Sequence, residues 1–120
     1  MVFCYWGFMK KINIVRSNRE FNNIIHTGKK YVGNIFYVYM LKNDYAFNRY
    51  GVAVSTKIGN AVIRNKYKRR IRNIIDIVEI PYKGYDLIFV ARQKIRSVKF
   101  KSMKNDVIKI ISLIGENYEK

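Results

Sequence analysis

Apolar residues recur along this chain with two periods, and the alternation divides it into seven elements. Ser17-Asn-Arg-Glu20 has the spacing of a capping box, and Phe21, Ile24 and Ile25 follow at i, i+3 and i+4 before Gly28. A short helix is predicted over about Ser17 to Thr27. Tyr31 to Leu41 (YVGNIFYVYML) is rich in β-branched and aromatic residues and reads as strand. Gly33-Asn34 marks a break or bulge, giving a short strand before it and a longer one, Ile35–Leu41, after it. In the longer strand Ile35, Tyr37, Tyr39 and Leu41 face one way, and Phe36, Val38 and Met40 the other. Both faces are apolar, so both are covered or one is a binding surface.

A polar connection over Lys42–Asn48, with the turn signal Asn43-Asp44, leads to a third strand, Arg49–Ser55. Its small Gly51 and Ala53 would let a helix approach the backbone. The next helix runs from an N-cap at Asn60 to about Val78. On a wheel begun at Ile63, the residues Ile63, Tyr67, Ile71, Ile74 and Val78 fall within about 80°. Pro81 follows its end, and Tyr85–Ala91 reads as a buried central strand. Arg92–Ser97 is a basic loop. A last helix is predicted from about Lys99 to Ile114, with the stripe Met103, Val107, Ile110, Ile111 and Ile114 and a stop at Gly115. The order is α-β-β-β-α-β-α, an α+β single domain with helices packed on a four-stranded sheet.

Charge changes the picture of the central helix. Lys57–Arg72 (KIGNAVIRNKYKRRIR) holds seven Lys or Arg residues and no acid. Arg64/Lys68, Lys68/Arg72 and Lys66/Arg70 are like-charged i,i+4 pairs, each costing roughly 0.2–0.5 kcal/mol. Such a helix is poorly suited to standing alone and well suited to phosphates. The whole chain, 120 residues with formal net charge +16, points to a polyanionic partner, nucleic acid before an anionic membrane surface. No apolar run approaches the length of a membrane span. Cys4 is the only cysteine, so a reducing compartment is expected. Residues 1–11 are expected to be an N-terminal extension, or to lie partly upstream of a start at Met9, with the domain over 12–115 and a polar tail over 116–120.

Catalytic chemistry is hard to find. One histidine (His26) and one cysteine do not make a zinc site of the usual kind, and the eight carboxylates are scattered. Gly59 stands alone rather than in a glycine-rich phosphate loop. No catalytic or metal-binding residue is expected in the chain itself.

The run from Lys57 to Arg72, preceded by a strand ending Val54-Ser-Thr-Lys57, resembles the signature of the bacterial ribonuclease P protein subunit: V-S-x-K, G-N-A-V, then R-N-R-x-K-R-x-x-R. The similarity extends to the segment Phe21–Gly28, to Arg49–Ser55, to Tyr85–Arg92 and to the terminal amphipathic helix. It covers about Ile12 to Ile114. It implies a left-handed β-α-β crossover through the basic helix, as in the ribosomal protein S5 domain 2-like fold, which the general preference for right-handed crossovers would not suggest. It implies a cytoplasmic subunit whose partners are a catalytic RNA and the 5′ leader of precursor tRNA. That RNA, with the Mg2+ it mainly binds, cleaves the leader. Neither DNA nor membrane is an expected partner, and the free protein is expected to be monomeric.

Carried onto this sequence, the resemblance implies that Lys57, Asn60, Arg64, Asn65, Lys66, Lys68, Arg69 and Arg72 approach the catalytic RNA. It implies that Phe21, Ile25, Phe36 and Tyr39 hold the leader in a cleft between the first helix and the sheet, although pattern alone would make Phe21 and Ile25 core. Lys66 stands where the signature has a second arginine, and it acts as a point charge rather than a bidentate fork. Ile25 replaces a commonly aromatic position, Tyr67 a usual aliphatic and Lys94 a usual proline. The rival readings are a general RNA-binding or ribosome-associated protein, a protein-only nuclease and a helix-turn-helix DNA binder. The first predicts equal affinity for precursor and mature tRNA, the second cleavage without RNA. The third lacks the short helix that should precede the basic one.

Overall fold

The computed structural model describes residues 14–118 other than 16 and 79. The extension expected over residues 1–11 lies outside these, as does the end of the expected tail. Within them the order is α1 (Asn18–Thr27), β1 (Lys29–Val32), β2 (Phe36–Lys42), β3 (Arg49–Ala53), α2 (Ala61–Ile77), β4 (Tyr85–Ala91) and α3 (Phe100–Tyr118), with a 3-10 turn at Gln93–Ser97. The sheet order is β1-β2-β4-β3. β1 and β4 run antiparallel to β2, while β3 lies parallel to β4, so α2 is the crossover between two parallel neighbours.

The sheet is covered on both faces. Phe36 and Val38 of β2, and Leu87 and Phe89 of β4, are 0% exposed and meet the stripes of α2 and α3 in the main core. Met103, Val107, Ile110, Ile111 and Ile114 of α3 are all buried there, as the 3.6-residue period predicts. The opposite face packs under α1 in a smaller cluster of Val15, Ile24 and Ile88, flanked by Phe21, Ile25, Tyr39, Leu41 and Val90. The molecule is thus three layers: α1, the sheet, then α2 with α3.

Two buried carboxylates fix the layers. Asp106 of α3 accepts hydrogen bonds from the backbone N–H groups of Asn34 (3.1 Å), Ile35 (3.0 Å) and Phe36 (3.2 Å), pinning the β1–β2 turn. Asp86 takes a two-pronged bond from Arg49 (2.9 and 2.7 Å) and one from the Asn43 amide (2.8 Å). Arg49 also reaches Glu20 at 2.7 Å, tying the start of α1 to the end of the sheet. Hydrogen bonds to Asp86 foremost raise the Arg49 pKa above its ordinary value, outweighing burial.

Three local expectations change. Gly115 does not end the last helix, which continues to Tyr118. One glycine costs about 1 kcal/mol, too little to stop a helix held by Ile110, Ile111 and Ile114. The loop after β4 is a 3-10 turn anchored by Ile95, which is 0% exposed. Gly28 does close α1, but with φ −73°. It is needed because a Cβ there would run into the carbonyls of Ile24 and Met40.

Candidate nucleic-acid interface

Strand register arranges the α1 face of the sheet in rows. Leu41, Asp86 and Arg49 form the first, where Glu20 ties α1 down. Lys30, Tyr39, Ile88 and Gly51 form the second, and Val32, Tyr37, Val90 and Ala53 the third. Successive rows lie about 6.6–6.8 Å apart. α1 covers the second row: Phe21 lies so close to Gly51 that a Cβ there would sit 2.8 Å from its ring. The third row is not fully covered, for Tyr37, Val90 and Ala53 are half-buried and Val32 is 56% exposed.

Phe21, Ile25 and Tyr39 therefore meet, each half-buried, between α1 and the sheet. Phe36 does not join them. It is 0% exposed and packs on the opposite face, in the main core. The correction follows from strand geometry, since adjacent residues on a strand point to opposite faces. A cleft that holds Tyr39 therefore takes Tyr37, not Phe36. Tyr37 was legible in the alternation of the strand. Lys30 and Arg92 were not, because nothing local says that their cations reach its ring.

On the other side, α2 starts with Asn60, whose side-chain oxygen accepts from the Ile63 N–H at 3.1 Å. Lys57 is exposed in the preceding turn, which is held by Ile58, 1% exposed, and by the Ser55 hydroxyl accepting from the Lys57 N–H. Asn65, Lys66 and Arg69 are exposed; Arg64 and Lys68 are half-buried. Burial, then the charges of Arg72 and Arg64, lowers the Lys68 pKa. Arg72 departs from expectation: it is only 3% exposed. Burial pulls its guanidinium down to about 10, so it stays charged at neutral pH but inside. Ile75, beyond the wheel's apolar stripe, is buried too, so the covered sector is wider in the second half of α2 than in the first. Arg72 is thus not on the surface that α2 offers to a partner.

The chain leaves the sheet for α2 at the Tyr37 row. β3 ends at Ala53, in the Tyr37 row, and the chain passes from there through Lys57 to Asn60 and α2. Among the described residues no three His, Cys, Asp or Glu side chains gather as a metal site would need, and no helix is long and apolar enough to cross a membrane.

The family model described as Ribonuclease P matches residues 9–115. The chain belongs to the ribonuclease P protein family. The ribonuclease P protein component of Clostridium botulinum (strain 657 / Type Ba4) is 36% identical over 107 residues, 88% of this chain and 96% of that protein. That of Mycoplasma mycoides subsp. mycoides SC is 37% identical over 108 residues, 88% and 99% of the two chains. Among solved structures, a Staphylococcus aureus RNase P protein mutant with defective mRNA degradation activity superposes with a TM-score of 0.82 at 28% identity, covering 92% of this chain and 95% of that one. A ribonuclease P protein is a subunit of an endoribonuclease, and its family implies an RNA subunit as partner. The α+β order read from the sequence is that of the family's structures.

Proposed function

We propose that this chain docks on the catalytic RNA of ribonuclease P through the basic face of α2, and holds the 5′ leader of precursor tRNA between α1 and the sheet. The observation that carries this reading is the presence in one domain of an exposed basic helix face and a separate, half-buried aromatic groove. A helix presenting Lys66 and Arg69 outward, with Arg64 and Lys68 beside them, suits the phosphates of a folded RNA. A shallow groove floored by Tyr39, Phe21 and Ile25 suits an extended single strand gripped by rings, with little reading of bases. Arg72 takes a supporting place within α2, and Phe36 a place in the core.

In this reading the protein performs no bond cleavage. Among the described residues the two buried carboxylates are committed to Arg49, Asn43 and the turn amides. Hydrolysis belongs to the RNA and its Mg2+, and the protein contributes position. Holding the leader turns its encounter with the reaction centre into an intramolecular event. Cations near that path reduce phosphate repulsion and favour Mg2+ binding.

The test is reconstitution with the catalytic RNA at low Mg2+, comparing precursors with and without a leader. The reading expects tighter binding of leader-bearing precursor, a preference that Phe21→Ala and Tyr39→Ala reduce. Equal affinity for precursor and mature tRNA would favour a general RNA-binding protein instead.

A further inference from the structure

On the row next to Tyr39, the sheet face beside α1 carries cations as well as rings. The Lys30 ammonium lies 4.1 Å from the centroid of the Tyr37 ring and 5.9 Å from that of Tyr39. The Arg92 guanidinium lies 5.0 Å from the Tyr37 centroid. One ring thus gathers two cations, each held by cation–π attraction. Arg92 is fixed a second time, donating from Nη1 to the carbonyls of Gly33 (2.9 Å) and Asn34 (3.4 Å). Those carbonyls belong to the turn that Asp106 pins, so the guanidinium is set in a rigid frame.

Neither cation is neutralised. Among the described residues the carboxylates of Glu20 and Asp86 pair with Arg49, and none pairs with Lys30, Arg92 or Lys94. Arg92 and Lys94 also line, with Tyr37 and Gln93, an open hollow of about 390 Å³. Held cations without counter-charges, beside a hollow and an aromatic floor, suit a phosphodiester better than a base, because the ring is already engaged by cations.

We propose that Lys30, Tyr37 and Arg92 form a phosphate subsite for single-stranded RNA, adjoining Tyr39. Tyr37 acts there as a positioning residue that holds the cations one row from the Tyr39 contact. Lys94 adds charge at the rim. The inference rests on the leader reading above and adds to it a backbone contact on the Tyr37 row, facing the sheet end from which α2 departs.

The experiment uses holoenzyme reconstituted with the catalytic RNA, mature tRNA, and precursors whose leaders are lengthened one nucleotide at a time. Lys30→Gln is the main variant, because Lys30 is exposed and its replacement leaves the core intact. Tyr37→Leu removes the ring, and Tyr37→Phe keeps it. Expected is a loss of about tenfold in precursor affinity for Lys30→Gln and Tyr37→Leu, the size of one charged hydrogen bond at the low end of its range. The plot of log affinity against log salt should flatten by about 0.7 for Lys30→Gln, as for one single-strand phosphate. Tyr37→Phe should behave as wild type, and mature tRNA should bind all four proteins alike. An unchanged salt slope, or equal losses on precursor and mature tRNA, would overturn the subsite. Phe21→Ala and Tyr39→Ala, run in parallel, separate the two ideas. If they lose leader preference while Lys30→Gln does not, only the subsite fails; if they keep it, the cleft itself fails.

Discussion

Replacing Phe36 separates core from cleft. The side chain is 0% exposed and lies between the sheet and α3, on the face away from α1. A phenylalanine ring removes on the order of 150–200 Å² from water, worth about 4–5 kcal/mol at 25 cal/mol per Å². Alanine keeps the Cβ but leaves a cavity, so Phe36→Ala should cost about 3–5 kcal/mol. Against a domain stability of roughly 5–15 kcal/mol, that is a large part of the whole. Thermal unfolding followed by circular dichroism should show Tm falling on the order of 15 °C. Phe36→Leu, nearer in volume, should cost about 1–2 kcal/mol and stay folded at assay temperature. With that variant, the ratio of precursor to mature tRNA affinity in the holoenzyme should equal the wild-type ratio. A ratio falling towards one with Phe36→Leu, or a Phe36→Ala protein as stable as wild type, would refute the placement of this ring in the core.

Other perturbations divide the surfaces further. Arg69→Ala should flatten the salt dependence of binding to the catalytic RNA by about 0.9 for each phosphate left without its cation, whereas Arg72→Ala should act mainly on denaturant stability, by roughly 1–3 kcal/mol. Salt titrations and urea melts on the two variants would show the reverse if Arg72 were the surface cation. Arg49→Met leaves the Asp86 carboxylate buried with only Asn43 as a side-chain partner and should cost about 3–5 kcal/mol in a denaturant melt. Gly51→Ala places a Cβ 2.6 Å from Ile88 Cδ1 and 2.8 Å from Phe21; it should cost about 1–3 kcal/mol and displace Phe21, with a matching drop in leader preference in the binding assay.

The helices and strands were legible because each carries its burial pattern in its own residues. The α3 stripe, the Asn60 cap and the Ser17–Glu20 box are all local signals. The box is met in a modified form: the Ser17 hydroxyl accepts from the Glu20 N–H and donates to the Glu20 carboxylate, whose other oxygen goes to Arg49. Asn43 likewise turns the chain as its type suggests, its side-chain oxygen accepting from the Tyr45 N–H at 2.9 Å. The 3-10 turn left no sequence signal because a single anchor, Ile95, makes no period. The Glu20–Arg49–Asp86 tie left none because its members are far apart along the chain.

The candidate site was half legible. The basic helix announces itself by charge, but its depth at Arg72 depends on how the layers close around Ile75. The cleft positions came with the family resemblance, and one of them, Phe36, conflicts with the parity of the strand that carries it. Strand alternation would have replaced it with Tyr37. The cations around that ring come from β1 and from the end of β4, and only the folded sheet brings them together.

The most direct test of the leader-holding cleft is the affinity of reconstituted holoenzyme for precursor and mature tRNA at low Mg2+, measured with wild-type protein and with Tyr39→Ala. The cleft predicts that wild type prefers the precursor and that Tyr39→Ala gives up roughly 1–3 kcal/mol of that preference, the value of one stacked base, with mature tRNA binding unchanged. An identical preference in the two proteins would contradict it.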